Sequence, residues 1–185
     1  MTKNDSRFLA LLRGINVGGK NIIAKADLRQ CFEELGLTNV RTYIQSGNVL
    51  FRCDEKSVDE LTATLQAGLS DRFAYKAQVV VLSQRKYKLA VAAAPNGWGT
   101  DQEQKHNAMF TLSSTTPQKV LAQLPAPKHD IELVSVGPGV IFWSVSKKHQ
   151  SQTTAMKLAK EPVYQQMTVR NHNTVFKLLE LFEEI

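Results

Sequence analysis

The spacing of apolar positions along the chain changes period several times, and each period predicts an element. Phe8 to Leu12 is a continuous apolar run, the mark of a strand covered on both faces. After a glycine-rich turn, Leu28, Cys31, Phe32 and Leu35 recur at helical spacing, and Gly36 supplies a stop. Val40–Gln45 and Val49–Phe51 read as two strands joined through Ser46-Gly47-Asn48. Ser57 and Glu60 make a capping box for a helix that turns Val58, Leu61, Leu65 and Leu69 inward. Val79–Leu82 is a further strand, so the first half reads β-α-β-β-α-β.

Tyr87, Ala90, Val91 and Ala94 predict a helix that stops at Pro95, and the polar stretch Asn96–Lys105 reads as a linker. The order then repeats. Ala108–Leu112 is strand-like, and Thr116-Pro117 caps a helix with Val120, Leu121 and Leu124 inward. Ile131–Val136 and Val140–Val145 flank a Gly137-Pro138-Gly139 hairpin. Thr154–Lys160 reads as helical up to Pro162, Met167–Val169 as a short strand, and Val175, Leu178, Leu179 and Phe182 as a final helix. Two split β-α-β patterns predict an α+β protein: two tandem ferredoxin-like (α-β plait) subdomains with antiparallel sheets, plus a C-terminal helix. The expected boundaries are 1–84, a connecting helix and linker over 85–99, and 100–185.

Composition fits that picture. A length of 185 residues allows one ordinary domain or two small ones. The hydrophobic fraction of 43% and charged fraction of 22% are globular, so a core needs no disulfide or metal staple. No apolar stretch reaches the length of a membrane span, and five residues after Arg7 are too few for a signal-peptide core. The expected location is cytoplasmic, where Cys31 and Cys53 stay as thiols. His106, His129, His149 and His172 are scattered, so no metal site is expected, and no cofactor. The net charge of +6 favours anionic partners: a nucleic acid or a phosphorylated small molecule, and no membrane.

Candidate chemistry gathers in three polar clusters. The first is Arg13-Gly14-Ile15-Asn16-Val17-Gly18-Gly19-Lys20-Asn21. Gly14 to Lys20 matches part of a P-loop, but Asn21 replaces the magnesium-binding hydroxyl and a hairpin follows where a parallel βαβ unit is needed. Two readings stay open here: glycines serving a tight turn, or backbone N–H groups binding an anion with Arg13 and Lys20. The second cluster is Arg41-Thr42-Tyr43-Ile44-Gln45-Ser46-Gly47-Asn48. Alternation puts Arg41, Tyr43 and Gln45 on one strand face, where Tyr43 and Phe51 could stack bases. The third is Arg170-Asn171-His172-Asn173-Thr174, where Asn171 or Asn173 caps the last helix and Arg170, with Lys157, offers positive charge beside its N-terminus.

The clusters hold Arg, Lys, Asn, Gln and Gly but no Asp or Glu, so a general base would have to be His172 or come from elsewhere. Candidate ligand-binding residues are Arg13, Asn16, Gly18, Gly19, Lys20, Asn21, Arg41, Tyr43, Gln45, Ser46, Asn48, Arg170, Asn171 and Asn173. Three readings compete: binding of a phosphate-bearing ligand, an enzyme on a small anionic substrate, and motifs that lock the two subdomains together.

The runs Ala10–Asn21, Val40–Phe51 and Thr168–Val175 resemble the domain of unknown function 1697 family of bacterial cytoplasmic proteins. The resemblance extends over nearly the whole chain. It departs at His172, where the family usually has Trp, and at Met156, where it often has Ser before Lys157. It implies two α-β plait subdomains and supplies no activity.

Overall fold

The computed structural model describes residues 6–19, 21–44, 47–54 and 56–185. The chain divides into two compact units, Met1–Tyr87 with Leu178–Ile185, and Lys88–Lys177. In the first unit the order is β1 (Arg7–Leu12), α1 (Lys25–Glu34), β2 (Thr38–Tyr43), β3 (Asn48–Arg52), α2 (Val58–Phe73) and β4 (Val79–Ser83). Its four strands form an antiparallel sheet in the order β2-β3-β1-β4.

Phe8, Ala10, Leu12, Val49, Phe51, Val79 and Val81 alternate along the strands and join Leu28, Phe32, Leu61, Leu65 and Leu69 of the helices in one core. Phe51 stacks on Phe8 at 5.8 Å and meets Phe32 edge-on at 5.6 Å. The capping box forms as expected: the Ser57 hydroxyl accepts from Glu60 N, and the Glu60 carboxylate accepts from Ser57 N at 2.8 Å. The C-terminal segment is tied to this unit by Arg7, which donates to the Phe182 carbonyl at 3.1 Å, and by an ion pair between Arg41 and Glu184. Tyr87 packs on Phe182 with ring centres 5.7 Å apart.

The second unit carries β5 (Gln104–Thr111), α4 (Pro117–Leu121), β6 (Glu132–Gly137), β7 (Val140–Ser146) and β8 (Met167–Asn171). α3 (Gln84–Ala92) leads into it, and α5 (His172–Leu181) leads out. The second sheet repeats the first in the order β6-β7-β5-β8, again antiparallel. Met109, Ile141, Trp143 and Val145 on one face pack with Val120, Leu124, Leu158 and Val163. The Thr116 hydroxyl caps α4, with Pro117 at its first turn.

Two sequence expectations change here. Thr154–Lys160 forms a 3₁₀ rather than an α-helix, flanked by 3₁₀ turns at Gln150–Gln152 and Pro162–Gln166. The reason is a fixed start and an early stop. Thr154 and Ala155 both donate their backbone N–H to the Glu132 carboxylate at 2.9 Å, and Pro162 follows within eight residues. Nor is Asn96–Lys105 a solvated linker. Trp98 within it is buried, and β5 already begins at Gln104.

Glu132 is the centre of this half. Its carboxylate also accepts from Lys128 N at 2.9 Å and from Trp143 Nε1 at 3.0 Å. Burial raises its pKa, but the hydrogen bonds from Lys128, Thr154, Ala155 and Trp143 outweigh that and hold the carboxyl below its ordinary value.

Two substitutions test these assignments by urea unfolding. Gly47 has φ +73°, and a Cβ there would lie 2.8 Å from Leu12 Cβ. Gly47→Ala should cost about 2 kcal/mol or more, against about 1 kcal/mol for Gly14→Ala, where φ is also positive but the space is open. Equal losses would mean that Gly47 serves conformation alone. Glu132→Gln should cost about 2 kcal/mol at neutral pH because it sets an amide against N–H donors. The folded carboxyl titrates below the unfolded one, so its contribution is full above the ordinary carboxylate range. It fades as pH falls through the depressed folded value. The gap between wild type and variant should therefore narrow with acidification, and a constant gap would refute a buried, ionised Glu132.

Candidate functional site

The first two clusters meet in the first unit. Leu12 N donates to the Gly47 carbonyl at 2.8 Å, which fastens the β2–β3 turn beside the exit of β1. The loop after β1 then closes on itself. Asn16 N donates to the Asn21 carbonyl at 3.1 Å, and Asn21 Nδ2 donates to the Gly14 carbonyl at 2.8 Å. The Asn16 amide grips Ile23 on both sides, accepting from its N–H at 2.8 Å and donating to its carbonyl at 3.1 Å. Asn16 and Asn21 both sit at positive φ, where asparagine is the side chain best tolerated after glycine. Gly18 and Gly19 are exposed at the loop tip, also at positive φ.

Arg13 is half-buried; its backbone N–H donates to the Gln78 carbonyl at 3.0 Å and its guanidinium approaches Gln78 Oε1 at 3.5 Å. Arg41 pairs with Glu184, so an acidic partner does reach the second cluster, from the far end of the chain. Asn48 is wholly buried and closes the hairpin by donating from Nδ2 to the Tyr43 carbonyl at 3.0 Å. Lys20, Gln45 and Ser46 lie outside the described residues.

The expected pairing of Tyr43 with Phe51 for base stacking does not occur. Tyr43 stands opposite Asn48 in the register, so odd-numbered Phe51 points to the other side of the sheet, where it is fully buried against Phe8 and Phe32.

The third cluster lies in the second unit. Arg170 is buried and donates from NH1 to Thr168 Oγ1 and the Val169 carbonyl, each at 2.8 Å. Asn171 caps α5, its Oδ1 accepting from Thr174 N at 2.9 Å. Asn171, His172 and Asn173 line a pocket of about 230 Å³ together with Lys105 and Lys147. The ladders bring these groups together: Asn107 of β5 stands opposite Asn171 of β8, and Lys147 N donates to the Glu103 carbonyl at 2.9 Å just before β5. Among the described residues Asp101 is the one acid on the pocket's rim, against Lys105 and Lys147, so the local charge is positive.

His106 borders this pocket and is fixed at both ring nitrogens. Nε2 lies 2.9 Å from the Asp101 carbonyl and Nδ1 lies 2.8 Å from Ser144 Oγ. A carbonyl only accepts, so Nε2 carries the proton. The His106 ring meets His172 edge-on at 5.4 Å, and both rings border Trp98.

Sequence reasoning did not single out Lys105, Lys147, Trp98 or Ser144. Lys105 and Trp98 sit in the stretch read as linker, and Lys147 and Ser144 at the end of a strand. The available signal was Trp98 itself, a large aromatic between Gly97 and Gly99 in an otherwise polar run.

Among the described residues no group of three or more His, Cys, Asp or Glu could hold a metal ion, and no helix is long and apolar enough to cross a membrane. The structure is an α+β protein with two four-stranded antiparallel sheets and a helix near its C-terminus. Residues 6–142 match the family described as Protein of unknown function (DUF1697), and the chain belongs to that family. The third cluster lies beyond the matched residues. No curated protein matches the chain. Among solved structures it is similar to the conserved bacterial protein SP0830 from Streptococcus pneumoniae. The identity is 30%, the TM-score 0.86, and the likeness covers 96% of this chain and 98% of that one.

Proposed function

We propose that the protein binds a small phosphate-bearing ligand in the pocket at the start of α5. The observation that carries this reading is the convergence of Lys105, Lys147, Asn171, His172 and Asn173 around one concavity of about 230 Å³. Two ammonium groups supply charge, and the asparagine amides supply directed donors. The first turn of α5 adds a positive dipole end. A pocket of this size suits a phosphoryl head group rather than a nucleic-acid duplex. The sheet orders favour reading both units as ferredoxin-like plaits, and the free Cys31 and Cys53 favour a reducing, cytoplasmic setting.

A second reading applies to the clusters of the first unit. Asn16, Asn21 and Asn48 spend amide groups on the backbone of their own loops, which favours a structural role for those motifs.

Calorimetric titration with inorganic pyrophosphate at low and moderate salt tests the proposal. Binding should weaken as salt rises, and the double variant Lys105→Ala/Lys147→Ala should lose about tenfold or more in affinity with little change in melting temperature. Both lysines are exposed, and the bond from Lys147 Nζ to the Gln102 carbonyl at 2.5 Å lies at the surface. Unchanged affinity in the double variant would overturn the assignment.

A further inference from the structure

A second concavity of about 280 Å³ lies against the first. The two share Asp101, Gln104 and His106 as lining residues. Their chemistry differs. Where the first is edged by lysines, the second has no Lys, Arg or Glu on its walls among the described residues. It is bounded instead by Pro95, Trp98, Leu133 and Val134, with Ser135 and Ser144 beneath.

The register explains the floor. Leu133 stands opposite Ser144, Ser144 opposite His106, and Ser135 opposite Phe142, so all these side chains emerge on the same sheet face. Trp98 packs over that face, with its ring 5.0 Å from Phe142 and 6.1 Å from His106.

Two polar groups on this lining have no hydrogen-bond partner. Trp98 is 5% exposed, and its Nε1–H donates to nothing; the Ser135 hydroxyl is shielded from solvent and also unpaired. A buried donor without an acceptor is costly, and such groups are uncommon in folded proteins. Ser144 and His106 satisfy each other, and the Asp101 carboxylate already accepts from Glu103 N at 2.9 Å. The unpaired buried groups are therefore one obligate donor, Trp98 N–H, and one hydroxyl able to donate or accept, and the amides of Asn96 and Gln104 on the same walls offer further donors and acceptors.

An alkyl chain would leave both groups unpaired. A free sugar would set hydroxyls against Pro95 and Leu133. A second anion would find no cation on these walls. What matches is a flat, uncharged heteroaromatic ring carrying acceptor atoms at its edge. We infer that the two concavities together form a nucleotide site, with the base in the Trp98–Ser135 pocket and the phosphate at Lys105 and Lys147. This rests on the phosphate site proposed above and names the rest of its ligand.

The test is calorimetry on the intact protein with inorganic phosphate, the four ribonucleoside 5′-monophosphates and their parent nucleosides. At least one monophosphate should bind about tenfold or more tightly than both inorganic phosphate and its own nucleoside. Ser135→Ala removes a hydroxyl that has no partner and should leave the melting temperature intact. It should weaken the nucleotide about fivefold to tenfold while leaving phosphate affinity unchanged. Trp98→Phe, which also costs packing against Phe142, should weaken the nucleotide without weakening phosphate, and Lys147→Ala should weaken nucleotide and phosphate alike. If phosphate binds and no monophosphate binds more tightly, or if Ser135→Ala and Trp98→Phe leave nucleotide affinity untouched, the base pocket is refuted while the phosphate site stands. If nucleosides bind as tightly as nucleotides and phosphate does not bind, the phosphate site fails and the nucleotide assignment fails with it.

Discussion

The second unit is organised by one imidazole. His106 is buried in the sheet, and its Nε2 faces a group that can only accept, the Asp101 carbonyl. That contact fastens the segment after α3 to the strands, next to Trp98 where it packs over the sheet face. The burial of Trp98 against Phe142 and Phe176 adds an apolar hold on the same stretch, whose other side chains are mostly polar or absent. The opposite ring nitrogen meets Ser144, so the ring cannot rotate without breaking both bonds. The segment it holds lines both concavities, one along each flank. A histidine bonded at both ring nitrogens thus acts here as a positioning group.

Glu132 plays a matching part on the other face. The chain between β7 and β8 has no regular α-helix to supply its own hydrogen bonds, only short 3₁₀ turns. A buried carboxylate takes N–H groups from Lys128, Thr154 and Ala155 and thereby organises two loops at once. The indole of Trp143 joins them, coupling that polar knot to the apolar core. A buried anion with this many donors needs no cation.

Much of the fold was legible because its signals are local. The Ser57–Glu60 box, the Thr116-Pro117 cap and the tight turn at Pro138-Gly139 each depend on residues within a few positions of one another. The elements they predict are present. The site was less legible for the same reason. Glycine- and asparagine-rich runs attract attention as binding loops, yet Asn16, Asn21 and Asn48 are engaged in holding irregular backbone. The groups that line concavities are single residues on separate strands, Lys105, Ser135, Ser144 and Lys147, joined only by register. Tyr43 and Phe51 show the limit of proximity in sequence: eight positions apart across a hairpin, they fall on opposite faces because one has even and the other odd parity relative to the turn.

The return of Leu178–Ile185 to the first unit gives that unit an interrupted sequence. During synthesis a ribosome delivers its sheet and helices first, then the whole of the second unit, and only afterwards the partners of Arg7, Arg41 and Tyr87. The first unit therefore cannot reach its final set of contacts when its own strands emerge; it must wait as an incomplete body, with the binding place of the last segment vacant. Its folding is coupled in time to the making of its neighbour, although each has its own sheet and its own core.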